Sequence, residues 1–205
     1  MKITWVTRSF LDYRIPVYQE LNKLCGRNLT VIYYKDIPPE RTQKKIKEVL
    51  GIKQSPEKKN FVLEINPKLI MPSKSNTTFR IPISPGLIKQ VLDSKPDILI
   101  SDGFMQWTYA VLAVRALKRI PHVMCYERTA HTERNAGRLR IWYRKIVSRW
   151  IDAIDCNGIL CGEYVRSLGF DSKRLTFGHM VADISGMSRT IQNIANEDIV
   201  KVKKN

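Results

Sequence analysis

Short apolar runs alternate with longer amphipathic stretches along most of the chain. Apolar runs bounded by polar or turn residues predict strands, and they lie at residues 3–7, 29–34, 61–65, 96–100, 123–126, 152–158 and 174–177. Apolar residues that repeat every three or four positions predict helices, and they lie at residues 16–25, 41–50, 84–92, 105–118, 134–149 and 160–168. Strands that alternate with helices predict an α/β fold with a Rossmann-like, doubly wound, mainly parallel sheet.

Proline and glycine place several helix boundaries. Pro16 fits only the first turn of its helix, and Gly26 provides a C-cap. Ser84 is predicted as an N-cap, with Pro85 at the first helical position. In the first helix, the apolar residues at helical spacing are Val17, Leu21 and Leu24.

Three segments lack the regular pattern. Residues 35–60 are basic and contain Pro38-Pro39 and Pro56, so they predict a surface insertion with one helical piece. Residues 68–83 predict a hairpin or an irregular excursion. Residues 185–205 are polar and weakly patterned. The sequence therefore predicts one domain over residues 1–184, and a linker over residues 185–205.

Two neighbouring strands are predicted to end in polar residues. Glu127, Arg128, His131 and Arg134 follow the run 123–126, and Asp102 follows the run 96–100. In open α/β sheets, ligands bind in the crevice beyond the carboxyl ends of the strands. These groups are therefore either a site for proton transfer and anion binding or a solvated loop without chemistry.

Composition and charge limit the class of protein. The hydrophobic fraction of 43% and the charged fraction of 26% fit a globular domain, and no apolar run is long enough to span a membrane. The four cysteines show no metal-ligand spacing, which predicts reduced thiols in a cytoplasmic protein and no metal site. A net charge of +16 predicts an anionic partner, such as a membrane surface, a phosphorylated substrate or nucleic acid.

The segment 134–149 is the most basic helix of the prediction. It contains six Lys or Arg residues and no acid. Its apolar face, with Tyr143 and Val147 beside it, consists of Leu139, Trp142, Ile146 and Trp150. This face either packs on the core or lies on anionic lipid headgroups. In the second case the membrane-facing residues are Arg138, Trp142, Lys145 and Arg149. Nucleic acid is disfavoured because no nucleic-acid-binding motif is present.

Several motifs in this order resemble the N-terminal domain of bacterial family 4 (group 1) glycosyltransferases, which have the GT-B fold. The most specific piece is the block from Glu127 to Asn135, ERTAHTERN. Further pieces are PDILI at 96–100, DAI at 152–154, Gly169 with KRL at 173–175, and the segment 178–183. The segment 13–18, YRIPVY, also resembles the start of the first helix in some members.

The resemblance implies an activity and a set of site residues. The reaction would move a sugar from a nucleotide-diphosphate sugar to an acceptor hydroxyl with retained anomeric configuration, without a metal. His131, or Glu127 as its rival, would hydrogen-bond the acceptor hydroxyl. Residues expected on the acceptor or phosphate side are Arg8, Tyr13, Asp102, Trp107, Arg128 and Arg134. His179 and Asp183 rank lower, and His122 is expected to be structural.

Simpler roles remain open for the two candidate catalytic residues. His131 could make only a structural hydrogen bond within its loop. Glu127 could make only an ion pair that orients Arg128 or Arg134.

The chain also departs from the family pattern at two places. The loop after the first strand reads Arg8-Ser9-Phe10-Leu11-Asp12 where many members have glycines, so Arg8 would replace backbone contacts to phosphate. The second domain, which binds the nucleotide sugar in such enzymes, is expected as a C-terminal partner after residue 205.

The resemblance further implies a lipid-linked or polysaccharide acceptor in envelope polysaccharide biosynthesis. The expected location is the cytoplasm, peripheral on the inner face of the cell membrane. Alternative functions are a non-catalytic module that binds anionic lipid or glycan, and a GT-B nucleotide-sugar epimerase.

Overall fold

The computed structural model describes residues 1–7, 12–34, 39–54, 57–58, 61–65, 79–104, 107–178, 184, 188 and 191. The strands are β1 Ile3–Val6, β2 Leu29–Tyr34, β3 Glu57–Lys58, β4 Phe61–Ile65, β5 Phe79–Ile83, β6 Ile98–Asp102, β7 His122–Tyr126, β8 Ala153–Cys156 and β9 Leu175–Phe177. The α-helices are α1 Ile15–Leu24, α2 Glu40–Leu50, α3 Leu87–Asp93, α4 Thr108–Lys118, α5 Arg138–Val147 and α6 Ile159–Ser167.

Seven of these strands form one parallel sheet in the order β3-β2-β1-β6-β7-β8-β9. The chain begins in the interior of the sheet at β1 and proceeds to one edge through β2 and β3. It then returns to β6 beside β1 and proceeds to the other edge. This order confirms the predicted doubly wound Rossmann-like fold, and it places a topological switch point between β1 and β6.

Apolar side chains on both faces of the sheet pack against helices, and this packing buries the strands. Trp5, Val31 and Ile100 belong to one core cluster with α1 and α2. Val6 and Leu99 point to the opposite face and pack with α3 and α4. Helices α5 and α6 cover β7 and β8 on that second face. Each such fully buried side chain stabilises the fold by roughly 1.5–3 kcal/mol relative to an exposed one.

Helix α3 begins later than the sequence predicted. The prediction of Ser84 as N-cap is wrong, because the N-cap is Gly86 in the left-handed region at φ 74°. The Ser84 hydroxyl is buried and shares a hydrogen bond of 2.9 Å with the hydroxyl of Tyr34 on β2. A side chain engaged with the sheet cannot cap the helix, so the helix starts at Leu87.

Helix α1 confirms the position of Pro16 in the first turn, and Val17 and Leu21 of its predicted apolar face pack against the core. Leu24, predicted on that face, is 82% exposed. Tyr18 and Asn22 are buried instead, and Asn22 Oδ1 accepts a hydrogen bond of 3.2 Å from the backbone N–H of Leu29. The inward polar residue therefore fixes the connection between α1 and β2.

The segment predicted as a hairpin or an irregular excursion includes one strand of a separate sheet. Strands β4 and β5 pair antiparallel, with Leu63 opposite Ile81. The predicted helical piece in residues 35–60 is confirmed as α2. The predicted linker 185–205 lies outside the described residues except for 188 and 191. Among the helices described, none has the length and apolarity that crossing a membrane requires.

Candidate functional site

The candidate site lies at the carboxyl edge of the sheet, where β1, β6 and β7 end side by side. The register pairs Val6 with Ser101 and Asp102 with Cys125, so the residues after these strands emerge together. The polar residue after β1 is Thr7, and β6 ends with Asp102 itself. The switch point thus brings together the two predicted polar strand ends.

Asp102 is the centre of a hydrogen-bonded corner at the switch point. Its Oδ1 accepts from Arg14 Nη1 at 2.8 Å and from Trp5 Nε1 at 3.2 Å, and its Oδ2 accepts from Thr7 Oγ1 at 2.5 Å. The Asp102 side chain is 19% exposed. Three donors, from β1, from the residue after it and from the turn before α1, therefore hold one carboxylate at the base of the crevice, where it can still contact a ligand.

Arg14 is a residue of this corner for which the sequence analysis gave no role. It ends the 3₁₀ turn Asp12–Arg14, and its guanidinium carbon lies 5.9 Å from the ring centroids of both Trp5 and Tyr13. Burial lowers the pKa of Arg14, but Asp102 together with Tyr18 and Tyr13 raises it by more, so the net shift is upward and the guanidinium stays charged. Arg14 lies in the segment YRIPVY, which the sequence had singled out only for its resemblance to the start of a first helix.

The loop after β7, residues 127–137, is held by its own threonines. The Thr129 N–H donates to Thr132 Oγ1 at 2.9 Å, and Thr132 Oγ1 donates back to the Thr129 carbonyl at 2.9 Å. The Glu133 N–H donates to the same carbonyl at 3.1 Å. These local hydrogen bonds explain why the sequence block TAHTE forms a compact turn after the strand.

Glu133 fixes this loop to the domain. Its side chain is only 3% exposed, and its carboxylate contacts Arg144 Nη1 at 2.8 Å, Arg128 Nε at 3.3 Å and Arg140 Nη1 at 4.0 Å. Burial lowers the pKa of Arg144, whereas Glu133, Tyr126 and Tyr164 together raise it by more, so the net shift is upward. A buried carboxylate needs such partners, because an unpaired buried charge is strongly destabilising.

Glu133 lies within the most specific block of the sequence, yet no role was predicted for it. The sequence could have indicated its role, because residues 134–149 contain six cations and no acid. Glu133, which directly precedes them, is therefore their nearest counter-charge in the sequence. Arg128, predicted to contact phosphate, is 45% exposed, and its Nε contacts Glu133.

His131 is exposed and is bound by Arg134. Arg134 Nη1 lies 3.2 Å from His131 Nε2 and 2.9 Å from the His131 carbonyl oxygen. Because arginine can only donate, Nε2 must accept this hydrogen bond, and the ring proton is then on Nδ1. The contact is the structural hydrogen bond within the loop that was considered as the simpler role of His131.

Glu127 directly follows β7 and is exposed. The alternative in which Glu127 orients Arg128 or Arg134 is wrong, because Arg128 contacts Glu133 and Arg134 contacts His131. Within the described parts of the chain, the Glu127 carboxylate has no ion-pair partner. Of the acids around this loop, Glu127 is thus the one available to a ligand.

Of the other predicted site residues, one is buried and three are not described. Trp107 does not line the crevice surface: it is 2% exposed, and its ring meets that of Tyr34 at a centroid distance of 6.2 Å inside the core. This prediction is corrected, because the ring is covered by α3 and α4. Arg8, His179 and Asp183 lie outside the described residues.

His122 lies at the opposite, amino end of β7. It is fully buried, and its Nε2 is 2.8 Å from Ser101 Oγ. Burial lowers its pKa to about 4, against a raising effect of Asp152 and a lowering one of Arg115. This environment fits the expected structural role, because a neutral imidazole is favoured there.

Helix α5 presents its apolar face to solvent. Trp142 is 60% exposed, and Arg138, Lys145 and Arg149 are exposed with it. The alternative in which this face packs on the core is therefore wrong. The side of α5 that faces the domain is formed by Arg144 and Val147.

No metal site occurs in the part of the chain that the structure describes, since no three His, Cys, Asp or Glu residues there are close enough to share an ion. The described side chains at the carboxyl edge include an exposed carboxylate, an imidazole and the cations near them.

Solved structures with the same fold bind or modify nucleotide sugars. HepE from Anabaena in complex with UDP-glucose is similar with a TM-score of 0.64 and 13% identity, covering 100% of this chain and 49% of that chain. The UDP-GlcNAc 2-epimerase of Neisseria meningitidis, bound to UDP-GlcNAc, is similar with a TM-score of 0.51 and 15% identity, covering 86% of this chain and 45% of that chain. At such identities the likeness shows the fold alone.

The chain spans about half the length of these solved proteins. No curated protein sequence matches it. The family model described as Glycosyltransferase Family 4 matches residues 28–179, which is more than half of the chain and includes β2, β6, β7 and the loop 127–137. The chain therefore belongs to glycosyltransferase family 4.

Proposed function

We propose that this chain is the acceptor-binding half of a retaining glycosyltransferase. The single observation that carries the proposal is the carboxyl edge of the sheet, where the exposed Glu127 and His131 stand on a loop anchored by Glu133. A rigid support beneath two exposed proton-accepting groups is what an acceptor hydroxyl needs, since catalysis depends on holding the reacting groups in a fixed geometry.

In the proposed reaction, the bond between the anomeric carbon and the diphosphate oxygen breaks, and its electron pair leaves with the nucleotide diphosphate. The acceptor oxygen forms the new bond to the same face of the anomeric carbon. The acceptor proton passes to His131 or Glu127, or to the departing phosphate oxygen. For His131 to accept it through Nε2, the hydrogen bond from Arg134 must first open.

Cations support the departure of the diphosphate in this proposal. Arg128 is the described candidate, because its side chain is 45% exposed while its Nε contacts Glu133. Arg134 and Arg8 are the further candidates from the sequence. Permanent cations placed near a developing negative charge stabilise the transition state without the need for a metal.

The donor sugar nucleotide would be bound mainly by a C-terminal domain that completes the crevice. The support is the coverage: this chain aligns with about half of HepE, whose structure was determined with UDP-glucose. The proposed acceptor is lipid-linked or a polysaccharide, and the proposed location is the inner face of the cell membrane.

A second candidate function is nucleotide-sugar epimerisation. It is favoured by the similarity to the Neisseria meningitidis epimerase at a TM-score of 0.51. The transferase is preferred, because the family model that matches this chain is a glycosyltransferase model.

The test begins with the reading frame that contains this chain. The protein encoded by the whole frame is incubated with radiolabelled UDP-glucose, UDP-GlcNAc or GDP-mannose, together with a bacterial lipid or polysaccharide extract. Incorporation of label into the extract with retained anomeric configuration, lost in His131→Ala or Glu127→Gln, supports the proposal. Interconversion of UDP-GlcNAc without an acceptor identifies the epimerase instead. No turnover of any nucleotide sugar indicates a non-catalytic binding module and contradicts both.

A further inference from the structure

The strongest surface feature outside the crevice is the outward side of α5 and the 3₁₀ turn Ser148–Trp150 that follows it. Five large apolar side chains there are 36–72% exposed: Leu139, Trp142, Tyr143, Ile146 and Trp150. We call this set the α5 strip. Single exposed apolar residues are ordinary, but a contiguous strip with two tryptophans marks an interaction surface.

The orientation of α5 is fixed from the inside. Arg144 is 6% exposed; its Nη1 contacts Glu133 at 2.8 Å and donates to the Tyr164 hydroxyl at 2.8 Å. Its guanidinium carbon also lies 5.7 Å from the ring centroid of Phe104. Turning the helix to bury the α5 strip would expose or unpair this buried charge, at a high energetic cost. The strip is therefore held outward by a specific ion pair.

Cations border the strip on both sides. Arg138, Arg140, Lys145 and Arg149 are exposed, and the chain contains no acid between 134 and 149. A second copy of this chain, meeting the strip through a two-fold axis, would bring these cations against their own copies. A surface of negative charge with an apolar interior matches the strip in both respects.

A cavity continues the strip at its far end. It has a volume of about 340 Å³ and is lined by Trp150, Arg119 and Ile120, among others. Arg115 on the same wall is already engaged by Asp152, with contacts of 2.8 and 2.7 Å. Arg119 is exposed and lines the same cavity, whereas the ion pair on that wall is made by Arg115. The Arg119 guanidinium is therefore positioned for a phosphate beside the apolar strip.

The strip also leaves the candidate site open. Helix α5 starts after the loop 127–137 at the carboxyl edge, and the turn ending at Trp150 leads directly into β8 at the amino edge. The strip thus runs along one face of the domain and does not lie across the strand ends. A partner bound there would leave the crevice accessible.

We propose that the α5 strip docks this domain on an anionic lipid bilayer, with the tryptophans among the headgroups and Arg119 beside a lipid phosphate. The proposal deepens the proposed function by naming its membrane partner. Docking is measured without any nucleotide sugar, so it can fail or hold independently of sugar transfer.

The test uses the chain with vesicles of phosphatidylcholine alone or with one third phosphatidylglycerol. We expect binding to the anionic vesicles only, and weaker binding as salt is raised. Each cation near such a surface contributes about 1 kcal/mol, so replacing Arg138, Lys145 and Arg149 by alanine should weaken binding roughly 100-fold. The matched control, which removes the same charge from α2 and its neighbourhood, is Lys44, Lys45 and Lys53 to alanine.

The apolar part is tested by Trp142→Ser with Trp150→Ser, against Leu117→Ser with Leu160→Ser on α4 and α6. The control residues are 69% and 66% exposed, so all four changes remove exposed apolar side chains. We expect vesicle binding to weaken at least 10-fold for the tryptophan pair, because these side chains would bury a large apolar area in the membrane. Binding should change little for the control pair.

Tryptophan fluorescence supplies a direct readout of depth. Trp5 and Trp107 are 4% and 2% exposed, whereas Trp142 and Trp150 are exposed. Brominated lipid should therefore quench the fluorescence of Trp142 and Trp150 and leave that of Trp5 and Trp107 unchanged. The quenched part of the emission should be absent from the Trp142→Ser and Trp150→Ser variants.

Three outcomes overturn the proposal. One is equal, salt-insensitive recovery on both vesicles, and another is an equal loss for the control variants. The third is a chain that binds no vesicles but forms a concentration-dependent dimer, which Trp142→Ser abolishes. The α5 strip would then be covered by a second copy.

Discussion

The two ends of the crevice use their carboxylates differently. At the switch point, Asp102 accepts from three side chains and remains 19% exposed. In the loop after β7, Glu133 is 3% exposed and bound by arginines, whereas Glu127 is exposed. At the switch point, one residue, Asp102, both holds neighbouring side chains in place and remains accessible. In the loop, Glu133 holds the structure in place and Glu127 is accessible. Because the two roles belong to different residues, the loop can expose Glu127 to a ligand without weakening the ion pairs of Glu133.

The largest expected effect is the loss of the anchor. Glu133→Gln leaves the buried Arg144 without its counter-charge, which should destabilise the fold by roughly 3–5 kcal/mol. Urea unfolding measures this loss, with the exposed Glu163→Gln as the control, expected to change stability by less than about 0.5 kcal/mol. If both variants unfold at the same urea concentration, Glu133 is not the anchor.

The second effect is smaller because Asp102 is partly exposed. Asp102→Asn keeps an oxygen that can accept from Trp5 or Arg14 but removes the charge that pairs with Arg14. The expected loss of unfolding free energy is about 1–3 kcal/mol, measured in the same way against Asp93→Asn on the surface of α3. A loss as large as that of Glu133→Gln would remove the distinction between the two ends.

The exposed pair of the loop should contribute almost nothing to folding. His131→Ala and Glu127→Gln are each expected to change the unfolding free energy by less than about 0.5 kcal/mol. In the complete enzyme, loss of a proton-transfer group should lower kcat about 10²- to 10⁴-fold. A variant that unfolds easily, or one that transfers sugar at the normal rate, would show that its residue is structural or idle.

The smallest effect concerns one proton. Arg134→Ala removes the donor to His131 Nε2, so the population of the Nδ1–H tautomer should fall in favour of Nε2–H. Nitrogen chemical shifts of the imidazole ring report this change, and Arg138→Ala serves as the control that removes a neighbouring arginine. An unchanged tautomer in Arg134→Ala would mean that Arg134 does not control His131.

The sheet was predictable because its signals are local. Runs such as Leu29–Tyr34 and Ile98–Asp102 contain the apolar residues that a strand buried on both faces requires, and their polar ends predict the edge where ligands bind. The charged loop after β7 was predicted for the same reason.

The features that the sequence left open or predicted wrongly depend on contacts between distant residues. Periodicity located the apolar face of α5 but could not show that it points outward, because this depends on Arg144 meeting Glu133 and Tyr164. Likewise, Trp107 is adjacent to the crevice in sequence, and only the packing of α3 and α4 places it in the core. Ser84 is a good cap by residue type, but Tyr34 on β2 engages its hydroxyl.

The central claim is that the carboxyl edge binds the acceptor. The most direct measurement is a nuclear magnetic resonance titration of the ¹⁵N-labelled chain with glucose linked through diphosphate to a ten-carbon prenyl chain, with UDP-glucose in a parallel titration. The account predicts amide shifts in residues 127–137 and around Asp102 with the lipid-linked sugar, and much weaker shifts with UDP-glucose. Shifts confined to other surfaces, or stronger shifts with UDP-glucose at this edge, would contradict it.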